Sequence, residues 1–293
     1  MFDYKRQFLW ENYNRVRGYL ISDPDALILL ECYITCLVND IIGANYLEIE
    51  HDYNEASYLH PFWASYPPDG QGKSAAGDQI PWLEVGEHAV GHKLSRLIAS
   101  DYQIAEIGLP TGADNRFVLY SDEISDITHE TTDCAFVHLT IKSVGPGSDQ
   151  GSTIVSPNQI SGNGIWEQSA DNVENALITA SGPDCYHAFH PAIPPIYTMT
   201  DGKTAPTIHL FIQPSYRTLS LEPEAGRGQP LKSIQSVCVP NGLLLTCQPN
   251  YLSAYPDLLR LEEAESDPGN VCARISLDIL SQIDRWRVSS FSS

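Results

Sequence analysis

The stretch Ala135–Val144 reads AFVHLTIKSV. It is rich in β-branched residues, and the period of two along a strand sends its alternate side chains to opposite sides. Such a run belongs in a sheet, and its surroundings say what kind. Upstream, residues 6–60 repeat apolar side chains at helical spacing, with Leu27, Leu30, Ile34, Leu37, Val38 and Ile41 the clearest series. Asp23-Pro24 supplies a helix start, Asp as the cap and Pro as the first helical residue. A Pro/Gly-rich loop spans Pro67–Gly77, and the stripe Leu83, Ala89, Val90, Leu94, Leu97, Ile98 predicts a helix over Ile80–Ile98. Downstream, Phe117–Tyr120, Ile196–Met199, Thr207–Ile212, Ser236–Val239 and Leu243–Thr246 read as short strands between Pro/Gly loops, and Val271–Ile279 as a strand or a helix. A helical part over about residues 1–100 followed by a sheet-rich part over about 101–293 predicts one α/β domain, residues 1–293, with a mixed sheet.

Composition narrows the class. The chain is 42% hydrophobic and 10% aromatic, which excludes a disordered protein. We find no run of about 18 apolar residues, so no membrane span is expected. The N-terminus, with Asp3, Lys5 and Arg6, lacks a secretory apolar core, and a soluble cytoplasmic protein is expected. Lys+Arg number 17 against 37 Asp+Glu, a formal charge of −20, which weighs against binding nucleic acid by bulk charge. Seven cysteines with no C-x-x-C argue against a disulfide framework or a zinc ribbon. Cys32 and Cys36 share a helix face and read as core packing.

Several motif look-alikes lack their chemistry. Gly72-Lys73-Ser74 ends like a phosphate-binding loop, but Pro67 stands where the first Gly is required, so no nucleotide cofactor is expected. His88 and His92 lie four apart with no Glu after the first His, and read as an exposed polar helix face in which Glu84 could pair with His88. His187 and His190 have no partners at zinc-site spacing, and no Gly-x-Ser-x-Gly elbow occurs.

The informative constellation runs from Leu109 to Pro146. Pro110-Thr-Gly-Ala-Asp114 precedes Thr140-Ile141-Lys142. A carboxylate at a strand edge followed by x-x-Lys in the next strand is the layout of PD-(D/E)xK nucleases. Two carboxylates and a backbone carbonyl there hold Mg²⁺ against a phosphate, and a Lys on the same strand face orients the attacking water. By spacing alone the layout is common, and a half-buried strand with Lys142 at its wet edge explains it better.

Longer segments carry more. Asp52–Ala56, Leu59-His-Pro-Phe-Trp63, Gly77-Asp-Gln-Ile-Pro-Trp82, Glu84-Val-Gly-Glu87 and Glu106-Ile-Gly-Leu-Pro-Thr-Gly112 occur in that order. Lys142-Ser-Val-Gly-Pro146, Ser156-Pro-Asn-Gln159, Ser161-Gly-Asn-Gly164, His209-Leu-Phe-Ile212 and Pro240-Asn-Gly-Leu243 follow them. Nearly the whole chain thus resembles the BglI-type type II restriction endonucleases. The resemblance implies a restriction-endonuclease-like α/β core, a mixed β-sheet flanked by helices. It implies a homodimer that uses Mg²⁺ to cut both strands of double-stranded DNA at a short, interrupted palindrome.

The resemblance also assigns positions. Asp114 stands at the family's first metal-binding Asp, Lys142 at its catalytic Lys, and the Ile141 carbonyl at a metal ligand. Glu87 matches an acidic residue on a helix near the site. Thr140 stands where the family has the second metal-binding Asp, which leaves three readings: a catalytically impaired homologue that binds DNA, a substitute carboxylate (Glu87 ahead of Asp133), or help from His138 on the same strand face. For DNA binding, Lys73 matches a Lys used at the DNA, and Ser148 and Asp149 lie where the family reads a base with Asp. Arg274 keeps one of two neighbouring Arg positions, and Cys272 occupies the other. The segment around them carries Glu262, Glu263, Glu265 and Asp267, and Lys73, Lys93, Arg96, Arg116 and Lys142 are the cations available to line a basic cleft.

Overall fold

The structure is a computed structural model, and it describes residues 2–57, 82–107, 114–145, 149–181, 187–216, 231–262 and 272–293. The N-terminal helical pattern resolves into α1 (Phe2–Ser22), α2 (Pro24–Ala44) and α3 (Tyr46–Ser57). The break at Asp23 lies where the Asp-Pro pair predicts it, with Pro24 in the first helical turn, but the Asp23 side chain does not cap α2 and accepts instead from the Tyr19 hydroxyl at 3.2 Å. A fourth helix, α4 (Trp82–Asp101), leads into β1 (Gln103–Glu106) and β2 (Asp114–Tyr120). Next come α5 (Asp122–Ile127) and β3 (Cys134–Ile141). Then β4 (Ser152–Val155), β5 (Ile178–Ala180), β6 (His187–Phe189), β7 (Ile196–Thr198), β8 (Thr204–Tyr216) and β9 (Leu231–Val239) follow. The C-terminal part holds α6 (Gly242–Thr246), α7 (Tyr251–Ala254), β10 (Leu259–Glu262), β11 (Cys272–Ser276), α8 (Leu277–Ile283) and β12 (Val288–Phe291).

Two predicted elements differ. Leu243–Thr246, expected as a strand, is helical, because the Asn241 side chain accepts the Leu243 N–H and caps α6. Val271–Ile279, expected as a strand or a helix, is both within its described part: Ser276 ends β11 and caps α8 by accepting the Ile279 N–H.

The main sheet runs β1-β2-β3-β8-β9-β12, with β7 added against β8. It is mixed, since β3 and β8 pair in parallel and the other pairs are antiparallel. Every residue of β3 and of β8 is buried, as expected for strands covered on both faces. On one face Ala135, Val137, Leu139, Ile141, Ile208, Leu210 and Ile212 pack against α2, α3 and α4. On the other, Phe211, Val237 and Val239 join Tyr13 and Leu20 of α1 and Leu243–Leu245. The small sheet β10-β11-β4 lies beside this second core, to which Val155, Leu259, Ala273 and Ile275 belong.

The helix α2 is long and apolar enough to cross a membrane by length and composition, with a mean hydropathy of 1.7 in its most apolar window. Its apolarity serves the core: Leu30, Ile34, Val38 and Ile42 are buried against the sheet. The same helix carries Glu31, fully buried against fully buried Arg287 at 2.8 Å. Burial pushes the Glu31 carboxyl up, opposed by the Arg287 charge and by the Asn241 N–H, which donates to Glu31 Oε1 at 2.6 Å. Cys32 and Cys36, read as core packing, are respectively half-buried and exposed, so that expectation fails for Cys36.

Two motifs distant in sequence meet in space. Gly242 N donates to Ser161 Oγ at 2.9 Å, and a Cβ at residue 242 would stand 1.9 Å from the Gly162 carbonyl oxygen. Only glycine permits that backbone approach. Asn241 completes the junction by donating to the carbonyls of Pro195 and Thr207, both at 2.8 Å.

Arg287→Met leaves Glu31 buried without its cation and is expected to cost about 3–5 kcal/mol. Adding Glu31→Gln should recover part of that loss. Urea-denaturation midpoints measure both, and equal losses in the single and double variants would show that the two groups are uncoupled.

Candidate active site

The pairing register assembles the site. Between antiparallel β2 and β3, Asp114 stands opposite Thr140, Arg116 opposite His138 and Val118 opposite Phe136. Between parallel β3 and β8, His138 stands beside His209 and Thr140 beside Phe211. Paired positions share a sheet face. Positions 114, 116, 138, 140 and 209 therefore lie on the face away from α2, α3 and α4. Lys142 lies two residues beyond Thr140, and its N–H continues the ladder to Ile212 O at 2.9 Å. Backbone pairing thus aligns the three positions singled out by the nuclease layout. The Asp114 side chain lies outside the described residues. The Ile141 side chain is buried in the helix-side core, so its carbonyl is the group it offers a ligand.

Thr140 is buried, and its Oγ1 has no hydrogen-bond partner among the described residues. A hydroxyl left so costs about 1–3 kcal/mol. Lys142 Nζ donates to Ile154 O at 2.7 Å. Glu87, on α4, accepts the Ser143 N–H at 2.6 Å. It therefore holds the chain just past Lys142 from the helix side of the sheet. Its charge also adds to burial in pushing the Tyr216 phenol up. Asp133 is ion-paired with Lys203 at 2.6 Å, seven residues before Thr140 and thus about 23 Å away along an extended strand.

His138 accepts from Arg116 Nε at 3.4 Å, and its ring centroid lies 5.8 Å from that of His209. His209 is fully buried, and desolvation, followed by the neighbouring His138, holds it well below the ordinary imidazole range and therefore neutral. Sequence reasoning named Arg116 only as a candidate cleft cation and His209 only within a family motif, not as neighbours of the Asp114–Thr140 pair. The signal was present, since Arg116 stands two residues after Asp114 and a strand repeats every two.

A second cluster joins the expected DNA-contact positions. Asp149 accepts from Ser152 Oγ at 2.6 Å and from the Gly151 N–H at 2.8 Å, while Arg274 Nη1 donates to Ser152 Oγ at 2.7 Å and lies 3.5 Å from Asp149 Oδ2. The Ser152 hydroxyl, then the Gly151 N–H and the Arg274 guanidinium, hold the Asp149 carboxyl below its usual range. Arg274 pairs in register with Ile154, the residue whose carbonyl receives Lys142. The small sheet therefore ties this cluster to the catalytic strand. Lys73 and Ser148 lie outside the described residues. Of the other expected cleft cations, Lys93 is engaged by Glu48 and Asp52 of α3, at 2.7 and 3.2 Å, and Arg96 is exposed on α4. Both helices lie across the sheet from Thr140.

The family model of the restriction endonuclease BglI matches residues 8–291. The chain belongs to the BglI restriction endonuclease family. It is 43% identical over 283 residues to the type II restriction enzyme BglI of Bacillus subtilis, covering 95% of this chain and 94% of that protein. A crystal structure of BglI bound to its DNA recognition sequence superposes with a TM-score of 0.87 at 41% identity, covering 100% of this chain and 99% of the other. Tetrameric SfiI bound to cognate DNA has the same fold, with a TM-score of 0.58 at 14% identity over 92% and 85% of the two chains. Members of the BglI family are site-specific deoxyribonucleases, and this chain has their mixed sheet flanked by helices.

Glu87→Gln keeps an acceptor for the Ser143 N–H and should fold with near wild-type stability. Glu87→Ala orphans that N–H and should lower stability by about 1–3 kcal/mol, read as a lower urea midpoint. Indistinguishable midpoints for the two variants would remove Glu87 from this supporting role.

Proposed function

We propose that this protein is a cytoplasmic, Mg²⁺-dependent type II restriction endonuclease that acts as a homodimer on an interrupted palindrome in double-stranded DNA. The observation that carries the reading is the register that sets Asp114 opposite Thr140 with Lys142 two residues on. A single domain over residues 1–293 is part of the same reading, supported by one mixed sheet with a core on each face.

The residues present fit a hard divalent ion in kind. The buried Thr140 Oγ1, without a partner among the described residues, is a spare oxygen donor beside the Asp114 position, and the Ile141 carbonyl is a second neutral one. Asp114 would hold the ion together with these two oxygens. The donor set carries one negative charge fewer than the family pattern. The chemistry the ion supplies when bound is charge stabilisation at the phosphoryl oxygen and activation of water. Lys142, released from the Ile154 carbonyl, orients the attacking water and offsets the negative charge that develops at phosphorus. Asp149 and Arg274 hold each other in place through Ser152, which presets both for base edges or phosphates.

A second reading, a DNA-binding homologue with impaired cleavage, is favoured by Thr140 itself. Glu87 accepts the Ser143 N–H through Oε1 and Asp133 pairs with Lys203, which weighs against Asp133 more than against Glu87 as the substitute carboxylate.

Incubating the purified protein with plasmid DNA and Mg²⁺ or Mn²⁺ tests the first reading. Discrete fragments that disappear on chelation with EDTA are expected; DNA binding without fragments under either metal would favour the second. Groups that merely orient metal ligands are worth about 10- to 100-fold. Thr140→Asp, which restores a direct ligand, should therefore raise cleavage at limiting metal by at least about tenfold, and an unchanged rate would show that Thr140 is not the limiting position.

A further inference from the structure

A cleft of about 550 Å³ opens on the site-bearing side of the sheet, lined by Arg116, Phe136, Ser156, Asn158, Gln159 and Tyr197 together with the Ala192–Pro194 segment. We infer that this cleft binds the sugar-phosphate backbone of one DNA strand at the phosphate next to the scissile one, with Arg116 as the phosphate contact. The inference deepens the nuclease reading and rests on it.

Three observations support the assignment. The first is position. Arg116 and its cross-strand partner His138 lie one residue pair along from Asp114 and Thr140, about 7 Å in an extended strand, a distance comparable to one nucleotide step. The second is charge. The protein carries 37 acidic residues against 17 basic ones, and among the described residues lining the cleft one is a guanidinium and none is a carboxylate. A guanidinium on the wall of a cleft in so acidic a chain favours an anion there. The third is the character of the walls. Tyr197 stacks on Phe136 with ring centroids 4.7 Å apart at 21°, and with Pro194 it forms an apolar side suited to a deoxyribose. Ser156 and Asn158 bring uncharged hydrogen-bonding groups, and Gln159 is tied by its Oε1 to the Ser156 N–H at 3.0 Å, which stiffens that rim.

His138 has a part in this. Arg116 Nε donates to its ring nitrogen at 3.4 Å, a long and therefore weak bond. A bidentate Arg–phosphate contact is stronger than this bond.

The test is the salt dependence of DNA binding, measured by fluorescence anisotropy with Ca²⁺ in place of Mg²⁺. The probe is a short duplex enriched for binding to the protein from a random-sequence pool, so selection by the protein itself supplies the target. Each phosphate contact contributes about 0.9 to the slope of log K against log salt. Arg116→Gln should therefore reduce the slope by about 0.9 per copy of the chain on the duplex, and Arg116→Lys should keep it. Arg6→Gln removes the same charge from α1, where Arg6 pairs with Asp171, and should leave the slope unchanged. Asn158→Asp, at an exposed position, puts a carboxylate into the cleft and should weaken binding whether or not Arg116→Gln folds. Wild-type slope in Arg116→Gln, or wild-type affinity in Asn158→Asp if the former is unfolded, overturns the inference and leaves the nuclease reading standing. Absence of any binding by the wild-type protein at low salt overturns both.

Discussion

The parallel pairing of β3 with β8 buries every residue of both strands, and the rest of the architecture follows from it. A strand with no wet face needs a layer on each side. The helices α2, α3 and α4 supply one, and α1 with the C-terminal segments supplies the other. A one-residue slip would turn Leu139 and Ile141 out of the helix-side core and drive Thr140 and His138 into it. The apolar packing that stabilises the sheet thus also fixes which residues face the site. Asp114 meets Thr140, and Lys142 follows at the strand end, because the core tolerates no other register.

The same burial explains the polar groups held inside. Glu31 and Arg287 are taken out of water together, with the Asn241 N–H as a further donor to the carboxylate. Gly242 then locks the C-terminal segment onto Ser161 and Gly162, and Asn241 ties it to Pro195 and Thr207. The net charge of −20 is compatible with a DNA-binding face because charge acts locally. Lys93, Lys203 and Arg260 pair with neighbouring carboxylates, and Arg116 and Lys142 stand on the side of the sheet that carries Thr140.

Much of this was legible in the residues. The spacing of Leu30, Ile34 and Val38 identified α2, Asp23-Pro24 its start, and the β-branched run 135–144 the central strand. Asp114 and Lys142 were recognisable through the family resemblance, while the strand period of two related only Thr140 and Lys142. Leu243–Thr246 was misread because an apolar run this short fits either period, and the Asn241 cap decides for a helix. The exposure of Cys36 was not legible either, since its face of α2 is defined by what the fold leaves uncovered there.

What the sequence alone determined about this protein is therefore its periodicity and its family motifs, both of which are local or read from order along the chain. What only the tertiary structure decided are the long-range coincidences: Glu31 with Arg287, Gly242 against Gly162, Glu87 on the Ser143 N–H, and the cleft beside Arg116. These pairs are separated by tens to hundreds of residues, and no side-chain period relates them. They arise because a sheet buried on both faces brings distant segments into one close-packed interior, where each buried polar group must find whatever partner the packing places beside it.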